Sequence, residues 1–143
     1  NLIGKSDWLL FHAAYWTETM PNDKNKFTVA AHGKYDFNDK KYKIVDERFE
    51  SNKRLLDAKE FANIIKTYPG FKEANFIELK SCNLGHPEND GNIFAQNLAN
   101  ITGKIVIGYT GEYIFSVFPL LNKPAENSKG KFFYPQIRIF HEK

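Results

Sequence analysis

Three short apolar runs stand out along the chain: Lys26–Ala31 in "KFTVAAHG", Phe76, Ile77 and Leu79 in "NFIELKSC", and "KIVIGYTG" ending on Tyr109, Thr110 and Gly111. The first alternates little, which suits a strand covered on both faces. Between them the apolar positions change period. Ala58, Phe61, Ala62, Ile64 and Ile65 form a stripe with helical spacing, and Ile93, Phe94, Leu98 and Ile101 form a second one. Asp57 and Glu60 have the spacing of a capping box at the start of the first helix, and "YPG" at 68–70 ends it. The second helix is expected over about Asn92–Thr102, with Gly103 as its C-terminal cap.

The segments between these elements are polar. "GKYDFNDKKYK" reads as turn-forming, "YKIVDERF" as a short strand or hairpin arm, and "NLGHPENDG" as a loop. The tail holds a proline- and lysine-rich loop, Asn122–Lys131, and a final strand "FFYPQIRIFH", which Pro135 places at an edge or breaks.

Strand, helix, strand, helix, strand makes two consecutive βαβ units, whose right-handed crossovers set three parallel strands side by side. The expected class is α/β, a mainly parallel sheet flanked by helices, in a single domain spanning residues 1–143. Ligands of such sheets sit off the carboxyl ends of the strands. Those ends are His32–Gly33, Ser81–Cys82 and Gly108–Gly111, all on one rim.

Composition narrows the function. In 143 residues, 42% are hydrophobic and 15% aromatic, a globular balance, and no apolar run approaches the roughly 18 residues of a membrane span. "NLIGKSDWLLFHAAYW" lacks a basic leader and a small-residue cleavage site, so it is read as the cut edge of a domain from a longer protein rather than a signal peptide. A net charge of +3 is mild, and the lysines of "NDKNK" and "NDKKYK" are spread as on solvated loops. No nucleic-acid partner is expected, and a polyanion contact is the alternative. One cysteine excludes an intrachain disulfide and a Cys-rich zinc site, and His12, His32, His86 and His141 lack metal-ligand spacing. No metal or cofactor is expected.

The remaining chemistry lies on the rim. Adjacent parallel strands lie about 4.8 Å apart, so groups just past neighbouring carboxyl ends come within reach of one another. An imidazole there promotes the thiolate form of a cysteine, and a glycine N–H is open to close approach by an oxyanion. His32, Gly33 and Cys82 therefore supply base, donor and nucleophile for acyl transfer. The bland readings are a buried inert thiol and a filler histidine. His86 is read as a solvated loop residue, Asp36 as a turn former rather than an orienter of His32, and Phe132, Phe133, Tyr134 and Phe140 as packing residues.

The pairing of "VAAHG" with "FIELKSCNLG" resembles clan CD cysteine peptidases, which place His-Gly at the end of one buried strand and Cys at the end of the next parallel one. His32 and Cys82 stand 50 residues apart, similar to the caspase interval. "SCNLG" departs from the caspase Q-A-C-x-G signature. The string from Phe27 to Gly111, with "LDAKEFANII" and "FAQNLANITGKIVIGYTG", is closer to bacterial toxin peptidase domains of the C80 type and to caspase-like domains ending Rhs-type polymorphic toxins.

The resemblance implies a caspase-like three-layer sandwich, with Cys82 as nucleophile and His32 as general base and acid. It implies the N–H groups of Gly33 and Cys82 as oxyanion hole, and Ser81, Gly108, Tyr109 and Thr110 as shapers of the substrate pocket. The implied protein is a secreted or delivered effector acting in a target-cell cytoplasm on a polypeptide substrate, with an immunity protein or the parent toxin chain as partner. Two alternatives stay open. One is a Cys-dependent amidase or deamidase, whose base usually follows the cysteine, as only His86 and His141 do here. The other is a non-catalytic peptidase-like binding module.

Overall fold

The computed structural model of the protein describes residues 2–3, 15–20, 23–46, 54–88, 91–116 and 121–136. Its main sheet is built around the three runs found above. They are β3 (Asp23–Ala31), β7 (Phe76–Lys80) and β8 (Ile105–Tyr109), adjacent and parallel. Helix α1 (Ala58–Ile65) lies on the crossover from β3 to β7, and α2 (Phe94–Thr102) on that from β7 to β8.

The sheet as a whole is mixed rather than mainly parallel. β1 (Leu2–Ile3) pairs with β2 (Tyr15–Met20), β2 with β3, and β11 (Gly130–Phe133) with β8, each antiparallel. The six strands run β1-β2-β3-β7-β8-β11. β2 enters as a hairpin arm of β3, and short connections of that kind force antiparallel pairing. β11 closes the opposite edge and ends before Pro135, as the missing proline N–H requires. Residues 134–136 are in no strand, and the rest of the expected last strand, including Phe140, lies outside the described residues.

Apolar alternation along the parallel strands faces the helices. Phe27, Val29, Ile77, Leu79 and Val106 are fully buried against Phe61 and Ile65 of α1 and Leu98 of α2. Both helices cover this one face, because two like-handed crossovers between strands added in the same direction fall on the same side. The second helical layer of a three-layer sandwich is not present among the described residues.

The helix ends follow the sequence closely. Asp57 Oδ1 accepts the Glu60 N–H at 2.8 Å, while Glu60 Oε1 accepts the Asp57 N–H at 3.0 Å, closing the capping box. Gly103 takes the left-handed conformation, φ 73°, at the end of α2. α2 starts at Phe94, later than expected, and its Ile93 N-cap offers no side-chain acceptor. The Leu84 carbonyl takes that role, accepting the Ala95 N–H at 2.9 Å and tying α2 to the loop after Cys82.

Two small sheets flank the main one. β4 (Gly33–Asp36), β5 (Lys41–Asp46) and β6 (Arg54–Leu56) form an antiparallel sheet, with the polar stretch at 37–40 as the β4–β5 turn. β9 (Tyr113–Ser116) and β10 (Leu121–Pro124) form a hairpin. Among the described residues no helix is long and apolar enough to cross a membrane.

Candidate active site

Register decides what the rim brings together. Lys26 pairs with Phe76 and Ala30 with Lys80, so the offset of 50 residues that separates His32 from Cys82 is also that of the paired strands leading to them. Phe76 pairs with Ile105 and Glu78 with Ile107, which extends to Gly111 beside Cys82. The Asn83 N–H accordingly donates to the Gly111 carbonyl at 2.8 Å, and the Gly85 N–H to the Tyr109 carbonyl at 2.8 Å. These bonds lock the loop after Cys82 onto the end of β8.

His32 is the residue at which the chain leaves the main sheet for the small one. Its carbonyl accepts the Val45 N–H at 2.8 Å, and the residue is exposed. That bond makes Gly33–Ile44 a non-hydrogen-bonded pair, so the Gly33 N–H points away from β5 at the open edge of the small sheet. Gly33 is required here by space. A Cβ would land on the Cys82 carbonyl oxygen, with the carbonyl carbon and Ser81 Oγ each at 3.1 Å. The two strand ends thus meet backbone to backbone.

Cys82 is half-buried. It follows a tight turn in which the Ser81 N–H bonds the Leu79 carbonyl at 2.9 Å, and it precedes Asn83 in the left-handed conformation, φ 62°. No backbone acceptor takes the Cys82 N–H among the described residues. The sulfur's partners are both backbone groups of Tyr113: the N–H donates to Sγ at 3.4 Å, and the thiol donates to the carbonyl at 3.8 Å. Ser81 is 1% exposed, and its hydroxyl, packed against Gly33, has no partner among the described residues.

The residues expected to shape a substrate pocket divide. Tyr109 lies beside the thiol's neighbour, its ring centroid 4.9 Å from that of Tyr113. Thr110 is occupied with the next strand: its N–H donates to the Lys129 carbonyl and its Oγ1 accepts the Lys129 N–H, each at 3.0 Å. Gly108 lines no open space, since a Cβ there would meet the Ala95 Cβ at 2.8 Å. It lets α2 approach the sheet.

Asp36 is the turn former expected of it. Its carboxylate accepts the Asn38 N–H at 2.9 Å and pairs with Lys43 Nζ at 2.9 Å. The Lys43 ammonium bonded to it holds its carboxyl below the usual carboxylate range. His86 is exposed, its Nδ1 2.8 Å from the Pro87 carbonyl and its ring against Tyr42. His12 and His141 lie outside the described residues. A cavity of about 270 Å³ between α1, α2 and β5 is lined by Tyr42, Glu88, Phe94 and Asn97 among others, and includes none of the rim residues. No cluster of metal-ligating side chains occurs among the described residues.

Two residues close to this site carried no sequence signal. Tyr113 acts through its backbone, across 31 positions. Glu78 is a charge buried in a central strand. Burial alone would push its carboxyl up, but bonds from Tyr109 and Lys26 outweigh that and hold it below the ordinary glutamate value. Burial and then Glu78's charge raise both Tyr109 and Tyr113 above the ordinary tyrosine value.

A family model described as a domain of unknown function, DUF8616, matches residues 5–133. The chain belongs to the DUF8616 family. No curated protein and no solved structure matches it. In this DUF8616 chain, the match runs through all three strand ends of the rim and both helices.

Proposed function

We propose that the chain is a cysteine endopeptidase of the caspase-like kind, with Cys82 as nucleophile and His32 as general base and acid. The observation that supports this reading is the meeting of the two strand ends, with Gly33 packed against the Cys82 carbonyl beyond the parallel pairing of β3 and β7. Cys82 Sγ, its proton passed to His32, attacks the carbonyl carbon of the scissile bond. The oxyanion formed is met by the Gly33 and Cys82 N–H groups, one on an open edge and the other without a backbone acceptor. His32 gives its proton to the leaving amine, and the thioester remains. Water, deprotonated by His32, then releases the acid and the thiol. Of the residues expected to shape the pocket, Tyr109 lies beside the thiol's backbone partner, its ring against that of Tyr113.

The caspase-like fold, delivery into a target-cell cytoplasm and pairing with an immunity protein or the parent chain belong to the same proposal. They rest on the His-Gly and Cys strand ends and on the order of elements between them. The amidase alternative gains nothing from His86, which is turned to Pro87 and Tyr42. One observation favours the non-catalytic module: both partners of the sulfur are backbone groups of Tyr113.

Mass spectrometry of a peptide library incubated with wild type, Cys82→Ala and His32→Ala separates the two readings. A peptidase cleaves a consistent subset of peptides, and either substitution lowers the rate by at least about 10³-fold with the fold unchanged. Cleavage that survives Cys82→Ala refutes the assignment. A wild-type protein that cleaves nothing points to the binding module.

A further inference from the structure

The peptidase reading uses the rim of the sheet and leaves unexplained a charge at its centre. Glu78 stands in the middle of β7, 7% exposed, on the face opposite the two helices. Its Oε1 pairs with Lys26 Nζ at 2.9 Å, and its Oε2 accepts the Tyr109 hydroxyl at 2.6 Å. A buried ion pair of this kind adds little to stability compared with apolar side chains of equal volume. Thr28 faces Glu78 in register, yet its buried hydroxyl finds no partner among the described residues. The carboxylate is therefore committed to Lys26 and Tyr109 rather than to the hydroxyl opposite it.

This arrangement fixes the Tyr109 ring. Tyr113 packs on that ring, and the Tyr113 N–H is the donor 3.4 Å from Cys82 Sγ. We propose that Glu78 is a positioning residue for Cys82. Through the Tyr109 hydroxyl it holds the Tyr109–Tyr113 ring pair in place, and with it the Tyr113 N–H on the sulfur. The inference rests on Cys82 being the nucleophile. A donor held on the sulfur fixes the position from which the thiol meets an electrophile. Glu78 acts on the thiol without touching it, and neither Lys26 nor Thr28 reaches the rim in its place.

Because the chain has one cysteine, alkylation of the folded protein by iodoacetamide reads Cys82 alone. Tyr109→Phe keeps the ring and removes one oxygen; it slows alkylation about fivefold, the loss expected for one hydrogen bond of average worth. Glu78→Val slows it equally, with a thermal midpoint no lower than wild type. Glu78→Gln keeps an oxygen for the Tyr109 hydroxyl and restores the rate to within about twofold of wild type. Rescue by glutamine without a matching change in thermal midpoint is what a merely structural role would not produce. Wild-type alkylation by Tyr109→Phe overturns the inference, and this variant decides alone if Glu78→Val fails to fold. Alkylation needs no peptide substrate. A wild-type protein that cleaves nothing while the variants keep this rate order therefore refutes the peptidase reading and leaves the positioning role standing.

Discussion

The two faces of the same strands are built for different ends. On the helix side Phe27, Val29, Ile77 and Leu79 alternate inward and are sealed by α1 and α2. One residue away, Lys26, Thr28 and Glu78 turn to the other face, where Thr28 and Glu78 are polar and still buried and Lys26 is partly exposed. The first face follows the rule that apolar area removed from water drives folding. The second runs against it, placing a carboxylate, an ammonium and two tyrosines near the strand end that carries Cys82. Stability and placement are thus assigned to alternate residues of one strand, and substitutions on the two faces should separate them.

The largest effect tests the helix face. Leu79 is fully buried, and Leu79→Ala should cost about 2–5 kcal/mol in a urea or thermal unfolding experiment, through lost contacts and the cavity left behind. Cys82→Ala, three residues on and half-buried at the rim, should change stability by less than about 1 kcal/mol while removing all thiol chemistry. Comparable losses from the two substitutions would mean that the rim is part of the core, and the division of labour would fail.

Next in size is Gly33→Ala, which probes where the faces meet. The added methyl collides with the Cys82 carbonyl, a backbone group that cannot swing aside as a side chain does. Overpacking of this kind typically costs about 1–3 kcal/mol. The strain falls on the contact between the two strand ends, so the rate of Cys82 alkylation should change along with stability. Gly91→Ala is the control, a loop glycine with open space around it and a positive φ of 83°. It should cost about 1 kcal/mol at most and leave the alkylation rate as it was. A Gly33→Ala protein with both properties of wild type would show that the close approach at the rim is not needed.

How much of this was legible from residues alone depends on whether side chains or backbone carry the information. The three parallel strands and both helices announce themselves, because continuous apolar runs and stripes with a 3.6 period are consequences of burial. So do Asp57, Glu60 and Gly103, whose types are demanded by local cap geometry. The start of "GKYDFNDKKYK" shows no strand signal, since β4 is at most half-buried and lacks a clean alternation, whereas "YKIVDERF" marks β5 as the expected hairpin arm. The parallel register, which brings the strand ends at Gly33 and Cys82 together, is set by how two elements dock and leaves no mark in either segment. Tyr113 meets the sulfur through N–H and C=O groups that any residue would have. Glu78 looked like an ordinary charge within an apolar run. Its partners come from β3 and β8, and only the assembled sheet reveals them.

The smallest effect concerns how that buried charge responds to acid. The carboxyl of Glu78 is held below the ordinary glutamate value near 4.5 by Tyr109 and Lys26, against the opposing pull of burial. Its ionised form is therefore bound more favourably in the folded chain than in the unfolded one. The stability this supplies is present above the unfolded value and is lost as pH falls through the lower folded value. That comparison is with a protonated Glu78 and is separate from the cost of having an ion there instead of an apolar side chain. Between about pH 5 and 3, wild-type stability should fall more steeply than that of Glu78→Gln, which has no proton to take up at this position. Asp36 is lowered too, but it is screened by solvent in its turn, so Asp36→Asn should flatten the curve less. Parallel curves for wild type and Glu78→Gln would mean that the carboxylate is not gripped by its partners. The polar face would then be no more than tolerated, and its contrast with the helix face would lose its meaning.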